Sequence, residues 1–192
     1  MKYISLFVLM FSVVTMAKSQ YCDPATENCP NAIISAVPFL RIVPDARSAA
    51  MGDGGIGISA DANSMHFNAS KLAFVENDLG LAASYSPWLR SLGLQDVYLA
   101  YLAGYKKIGE NQTLGASLRF FSLGALEFTD INGLSLGQGN PNEFEVAVAY
   151  ARKLSTKFSA GLTGKFIYSN LAGGQQIDNI DIVPATSGAV DI

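Results

Sequence analysis

From Leu79 onward, apolar and polar side chains alternate along the chain with a period of two, which is typical of β-strands rather than helices. Roughly five segments of about ten residues show this alternation. In each segment the larger side chains share one face: Leu79, Leu81, Ala83 and Tyr85; Val97, Leu99, Tyr101, Ala103 and Tyr105; Leu114, Ala116, Leu118 and Phe120; Phe144, Val146, Val148 and Tyr150; Phe158, Ala160, Leu162, Gly164 and Phe166. A tilted strand needs about ten residues to cross the hydrocarbon layer of a membrane, whereas strands of water-soluble proteins average about five or six. The pattern therefore predicts an all-β fold, a transmembrane antiparallel β-barrel with these larger side chains toward lipid. A soluble β-sandwich, whose strands also alternate, is the alternative.

The opposite faces of these segments are small or polar, as the lumen of a barrel would be. We expect their charged side chains to face that lumen: Arg119, Glu143, Glu145 and Lys165. Leu102 and Phe121 are candidate apolar residues of the lumen. Aromatic residues lie toward the segment ends and suit two girdles at the lipid interfaces: Tyr85, Trp88, Tyr101, Tyr105, Phe120, Phe121, Tyr150, Phe158 and Tyr168.

The connections between the segments alternate in length. Residues 106–113 and 152–157 are interpreted as short, charged turns, and 89–96 and especially 124–142 as the longer loops. Outer-membrane barrels have short periplasmic turns and longer outside loops. The chain is therefore predicted to rise from the periplasm near Leu79 and to leave residues 170–192 outside. Because bacterial single-chain barrels use an even number of strands, eight or more, we expect residues 78–192 to be the first strands and loops of an incomplete barrel, in a protein of about twice this length.

The first residues predict export. Lys2 precedes an apolar run over residues 4–14, and small residues follow at positions that a signal peptidase reads. Residues 1–19 are therefore interpreted as a cleaved signal peptide of an outer-membrane protein, with a short N-terminal anchor as the alternative. In the periplasmic extension that follows, residues 20–37, Cys22 and Cys29 either close a small disulfide loop or remain two free thiols.

The composition argues against several classes of function. Only 15% of the residues are charged, against about 25% in soluble domains, and 49% are hydrophobic. The net charge of −3 argues against nucleic acid as a partner. With one histidine and two cysteines, the chain offers little for a metal site, and it shows no arrangement of serine, histidine and acid. We therefore expect neither an enzyme nor a cofactor; an envelope enzyme acting on lipid has no support in this sequence.

Residues 38–77, here called the hatch segment, follow a different pattern. Asp45 is placed to cap a short helix through Met51, with Gly52 ending it. A second helical turn is predicted from Asp61 to Phe67, with Asn68 at its end. Because the hatch segment is too small to fold alone, we expect it to sit inside the barrel as a plug.

Several motifs resemble those of a known group of proteins: PFLRI at 38–42, ARSAAMG at 46–52, GIGISADA at 55–62, NASKLA at 68–73, LEFTDING at 126–133, NPNEF at 140–144 and YARKL at 150–154. They are similar to the FadL-like barrel superfamily and, within it, to the PorV family of the type IX secretion system of Bacteroidota. The resemblance assigns structural or binding roles to the polar and glycine residues of the hatch segment: Arg41, Asp45, Arg47, Gly52, Asp61 and Asn68.

The resemblance implies a barrel of about 14 strands with an N-terminal hatch. It further implies an adaptor that engages the secretion translocon channel, receives cargo by its C-terminal signal domain and delivers it to a surface sortase or attachment complex. The alternative is a FadL-type transporter of hydrophobic small molecules. Those transporters carry Asn-Pro-Ala where this chain has Asn68, Ala69 and Ser70, so the local backbone is less fixed here.

Overall fold

The computed structural model describes residues 37–129, 133–171, 176–177, 180–181 and 183–192. These residues belong to one structural unit, Val37–Ile192. The predicted signal peptide and the pair Cys22 and Cys29 lie outside the described residues. Among the described residues, no helix combines the length and hydrophobicity needed to cross a bilayer.

Most of the described chain forms β-strands, as the alternation predicted. The strands are β1 Leu79–Pro87, β2 Val97–Lys107, β3 Gln112–Leu123, β4 Leu126–Thr129, β5 Ser135–Gly139, β6 Asn142–Lys153, β7 Ser159–Asn170, β8 Gln176–Ile177, β9 Ile180–Asp181 and β10 Ala185–Asp191. Six of them form an antiparallel sheet in the order β1-β2-β3-β6-β7-β10. The all-β, antiparallel fold class is thus confirmed. Within the described residues the sheet is not closed, and β1 and β10 are its edges.

Strands β4 and β5 form a hairpin inside the connection between β3 and β6, and β8 and β9 form a smaller one between β7 and β10. Strand β10 was not predicted. Its residues pair with β7 from Ala185 opposite Ser169 to Asp191 opposite Thr163, so the chain turns back along β7. The expectation that residues 170–192 all lie outside is therefore wrong. Strand β10 contains mainly small and polar residues, so backbone pairing defines it rather than a hydrophobic alternation.

The sheet has an inner face, covered by the hatch segment, and an outer face that is apolar and exposed. The outer face carries the predicted larger residues of β1, β3, β6 and β7; Leu81 and Val148, for example, are 75% and 57% exposed. In β2 the faces are the reverse of the prediction. Its large residues Val97, Leu99, Tyr101, Ala103 and Tyr105 are buried on the inner face.

The two predicted apolar lumen residues, Leu102 and Phe121, lie on opposite faces of the sheet. Leu102 is 51% exposed on the outer face, opposite Ala83 and Leu118, so its prediction as a lumen residue is wrong. Phe121 is buried on the inner face, as predicted. Both faces of β2 carry apolar residues, so the pattern alone did not determine which face meets the hatch segment.

An aromatic row crosses the outer face at the end of the sheet where the longer connections lie. The ring of Tyr98 is tilted against those of Tyr85 and Phe120, at 5.3 Å and 6.0 Å between ring centroids. Phe120 lies opposite Phe144, whose ring is 4.9 Å from that of Tyr168. Tyr85, Phe120 and Tyr168 were predicted as girdle residues; Tyr101, Tyr105 and Phe121 were also predicted but face inward, because they pack against the hatch segment.

The hatch segment contains four short helical turns: Pro38–Arg41, Ala46–Ala50 (α1), Ser64–Phe67 (α2) and Ala69–Phe74. Asp45 caps α1 by accepting a hydrogen bond from the Ser48 amide at 2.8 Å. Gly52 follows with φ of +69°, a conformation that favours glycine. These features agree with the prediction for α1.

Candidate functional site

The hatch segment packs on the inner face of the sheet through an apolar contact. Its buried residues Ala62, Met65, Leu72 and Val75 meet the inner residues of β2 and β6. The β6 residues at this contact are all small: Ala147, Ala149 and Ala151. The inner face therefore leaves room for the hatch segment rather than filling the space with its own side chains.

Two glycines of the sheet let the hatch segment approach closely. A Cβ added at Gly115 would lie 2.5 Å from Met65 Sδ, and one at Gly161 would lie 2.8 Å from the Ser70 amide nitrogen. Both distances are shorter than a van der Waals contact, so only glycine fits at these positions without a shift. Gly161 meets backbone atoms, which yield less than the end of a flexible side chain.

Phe39 anchors the first turn of the hatch segment separately. Its side chain is 2% exposed and packs with Leu99, Phe121 and Ile167. These partners lie on β2, β3 and β7, so this second apolar contact spans most of the width of the sheet. Burial of a phenylalanine side chain contributes about 1.5–3 kcal/mol.

Arg119 is the polar centre of the interface between the hatch segment and the sheet. Its side chain is 2% exposed, and its Nη1 donates to the carbonyl oxygens of Leu40 at 2.7 Å and Phe39 at 3.3 Å. Its Nη2 lies 2.7 Å from His66 Nδ1, and its Nε lies 3.6 Å from Glu145 Oε2. One arginine of β3 therefore joins the first turn of the hatch segment, α2 and β6.

This contact determines the protonation state of His66. A guanidinium has only donors, so His66 Nδ1 must accept, and the ring is neutral with its proton on Nε2. Burial lowers the pKa of His66 to about 4; the positive charges of Arg119 and Lys165 act in the same direction, and Asp45 opposes them. His66, the single histidine of the chain, is therefore held in this interface as a neutral hydrogen-bond acceptor.

Two further hydrogen bonds fix the rest of the hatch segment. Lys71 Nζ donates to the Gly55 carbonyl at 2.8 Å, and Ser159 Oγ donates to the Ser70 carbonyl at 2.9 Å. Burial lowers the pKa of Lys71, and Asp61 opposes that effect. The first bond closes the glycine-rich stretch onto the last turn of the hatch segment, and the second ties that turn to β7.

The residues that the resemblance singled out in the hatch segment lie at several separate places. Asn68 accepts from the Ser70 amide at 2.9 Å and caps a helical turn, as Asp45 does, whereas Asp61 accepts from the Ser64 amide at the start of α2 at 3.1 Å. Arg41 and Arg47 are exposed. None of these roles brings the six residues into one binding site, and a binding role for them stays a prediction.

All four predicted lumen charges belong to the inner face, with different partners. Arg119 and Glu145 are brought together, whereas Glu143 accepts from Ser169 Oγ at 2.6 Å and Lys165 forms an ion pair with Asp191. Sequence reasoning identified the charges but missed the connection of Arg119 to His66 and to the first turn. The period-two pattern reports which face a residue occupies, and it carries no signal for a partner 53 residues away.

The described part of the chain offers little for a metal or a cofactor. Within it, no group of three or more histidine, cysteine, aspartate and glutamate side chains is placed to hold a metal ion. A cavity of about 450 Å³ lies between the hatch segment and β1. Its lining includes polar residues: Ser59, Asp61, Asn63, Glu76 and Asn77.

Comparison with known proteins adds one finding. The model of the family described as type IX secretion system protein PorV matches residues 24–192. No curated protein matches the chain.

Proposed function

Because the chain belongs to the PorV family of type IX secretion system proteins, we propose that it works in the outer membrane, binding secreted cargo at the translocon and passing it to the cell-surface attachment complex. The family match over residues 24–192 carries this proposal. As a member of this family the chain is a component of the type IX secretion system. The location, the cargo and the order of hand-off are the parts that we propose.

The outer face of the sheet supports a location in the membrane. Leu81, Leu102, Val148 and Leu162 are all at least half exposed there. Exposed apolar side chains on every second position of long strands match the surface that a barrel presents to lipid. The aromatic row at one end of the strands matches the level of the lipid headgroups.

The connection between β3 and β6 supports a role in binding protein. It carries the β4–β5 hairpin at the end of the sheet where the aromatic row lies, and Leu126 in it is 42% exposed. A loop that projects beyond the aromatic row is outside the hydrocarbon layer and accessible to protein partners. We propose this connection as a contact for the translocon channel or for the C-terminal signal domain of cargo.

The hatch segment bears on the alternative of a FadL-type transporter. Its apolar residues cover the inner face at β2 and β6, and the cavity beside β1 has carboxylate and amide groups in its lining. An acyl chain in this cavity would take these carboxylate and amide groups out of water, which costs free energy. The arrangement therefore favours the adaptor over the transporter. That the chain is not an enzyme stays a prediction, in keeping with its family.

The test is a deletion of the gene in its own bacterium, with the secreted cargo measured in the periplasm and on the cell surface. We expect cargo to accumulate in the periplasm and full-length protein to restore surface cargo. A variant in which residues 126–139 are replaced by a short glycine-serine linker should reach the membrane but restore little surface cargo.

The matched control replaces residues 155–157, in the short turn between β6 and β7, by a linker of equal length. This turn lies at the opposite end of the strands, so the control should restore secretion fully. Normal secretion in the deletion strain would contradict the proposed function. Full rescue by the 126–139 variant would contradict the proposed contact alone.

A further inference from the structure

The hatch segment has two parts that are held to the sheet in different ways. The base, residues 62–75, is fixed by the apolar contact with β2 and β6. The front, residues 38–60, is largely exposed over residues 46–59, and Met51 and Ile56 are 48% and 71% exposed. The front is held at its start, where Phe39 packs on the sheet and Arg119 binds two carbonyl groups.

Arg119 is a sheet side chain that contacts both parts, and Lys71 of the base adds a direct hydrogen bond to the Gly55 carbonyl of the front. Arg119 donates to the carbonyls of Phe39 and Leu40 in the front and contacts His66 in the base. We propose that Arg119 and neutral His66 form a latch that holds the front of the hatch segment closed, and that protonation of His66 opens it.

The chemistry of the two groups explains how the latch opens. A protonated imidazole has N–H groups on both nitrogens, so Nδ1 would no longer accept from Arg119 Nη2. Two cations 2.7 Å apart in a partly buried site repel each other. Arg119 is already paired with Glu145 on β6, whose Oε2 lies 3.6 Å from its Nε, and this carboxylate retains the guanidinium when His66 repels it. Turning toward Glu145 withdraws its donors from the carbonyls of the front.

The charged groups around His66 determine the pH at which His66 is protonated and the latch opens. Arg119 on β3 and Lys165 on β7 disfavour protonation, whereas Asp45 in the front favours it. Glu145 on β6 and Asp191 on β10 compensate the two cations. Together with burial these charges lower the pKa of His66 to about 4, so the latch is closed at neutral and mildly acidic pH.

Opening would expose a new part of the inner face without releasing the whole hatch segment. The apolar seat of Phe39, formed by Leu99, Phe121 and Ile167, would become accessible. The base has its own apolar contact and its own bond from Ser159 to Ser70, so it would remain in place.

Hydrogen exchange of the full chain in lipid nanodiscs tests this latch. The Leu40 and Ile42 amides donate to Val37 and Phe39 in the first turn and report on the front; the Asn68 amide donates to Ser64 and reports on the base. Between pH 7.5 and pH 4, after correction for intrinsic exchange rates, we expect the front to exchange at least about tenfold faster, because proton linkage favours the open form. The base should change little.

Two variants make the test specific. His66→Asn keeps an acceptor near the Nδ1 position but does not titrate, so its front should stay protected at both pH values. Arg119→Gln removes the donors of the latch, so its front should exchange fast even at pH 7.5. An equal acceleration of wild type and His66→Asn, no acceleration in wild type, or a protected front in Arg119→Gln would each overturn the proposal. If Arg119→Gln fails to fold, the comparison of wild type with His66→Asn alone tests the proposal.

Discussion

At the scale of single residues, the close contact between the hatch segment and the sheet depends on glycine, which has no side chain. Gly161 faces the backbone of Ser70, whereas Gly164, three residues further along β7, has nothing within 4 Å of the position of a Cβ. The same substitution at the two sites therefore separates contact with the hatch segment from any general effect of replacing glycine in a strand.

We expect Gly161→Ala to destabilise the protein by about 1–3 kcal/mol, since overpacking a tight contact forces the backbone to shift. Gly164→Ala is the matched control and should be close to neutral. The measurement is the thermal unfolding of each variant in the same detergent. Equal unfolding temperatures for the two variants would show that the hatch segment does not pack against Gly161.

His66 gives a second expectation at this scale, concerning pH. Its pKa in the folded protein is lowered from 6.5 to about 4, so between these values the unfolded chain binds a proton that the folded chain does not. The free energy of unfolding should therefore fall as the pH falls from about 6.5 to about 4, and this contribution should be absent above pH 6.5. Denaturant unfolding of wild type and His66→Asn across this range measures it; identical slopes would contradict it.

At the scale of elements, the alternation located β1, β2, β3, β6 and β7 and assigned the faces of four of them. It assigned the wrong face in β2, because this strand is apolar on both sides and the hatch segment determines which side is buried. It missed β10, whose small and polar residues carry no alternation. The Arg119–His66 contact was not predictable either, because it joins residues that only the folded chain brings together.

The outward orientation of Leu102 in β2 can be tested by substitution. Leu102 lies at the middle of β2 on the outer face. An arginine there would face lipid, at a cost of about 2–4 kcal/mol near the midplane of the membrane. Leu102→Arg should therefore reduce the free energy of unfolding in lipid vesicles by that amount. Leu126→Arg, in the exposed β4 connection, is the control and should stay near wild type. A tolerated Leu102→Arg would favour the original prediction of a lumen residue.

At the scale of the whole molecule, the sheet separates two environments. Its outer face presents apolar side chains and an aromatic row, and its inner face holds buried charges and the hatch segment. This asymmetry connects the sequence to the proposed function, because a protein that lies in the outer membrane with its inner face filled must engage partners through its connections. The β3–β6 connection is the part of the described chain best placed to do so.

The central claim is that the outer face contacts lipid, and a spin-label scan along β6 tests it most directly. Nitroxide labels are placed one at a time at residues 144–151 of the protein in lipid vesicles. We expect accessibility to oxygen, which partitions into lipid, to be high at 146, 148 and 150 and low at 145, 147 and 149, with little access of a water-soluble nickel complex to the first set. High nickel access at 146, 148 and 150 would show that the outer face meets water and would contradict the account.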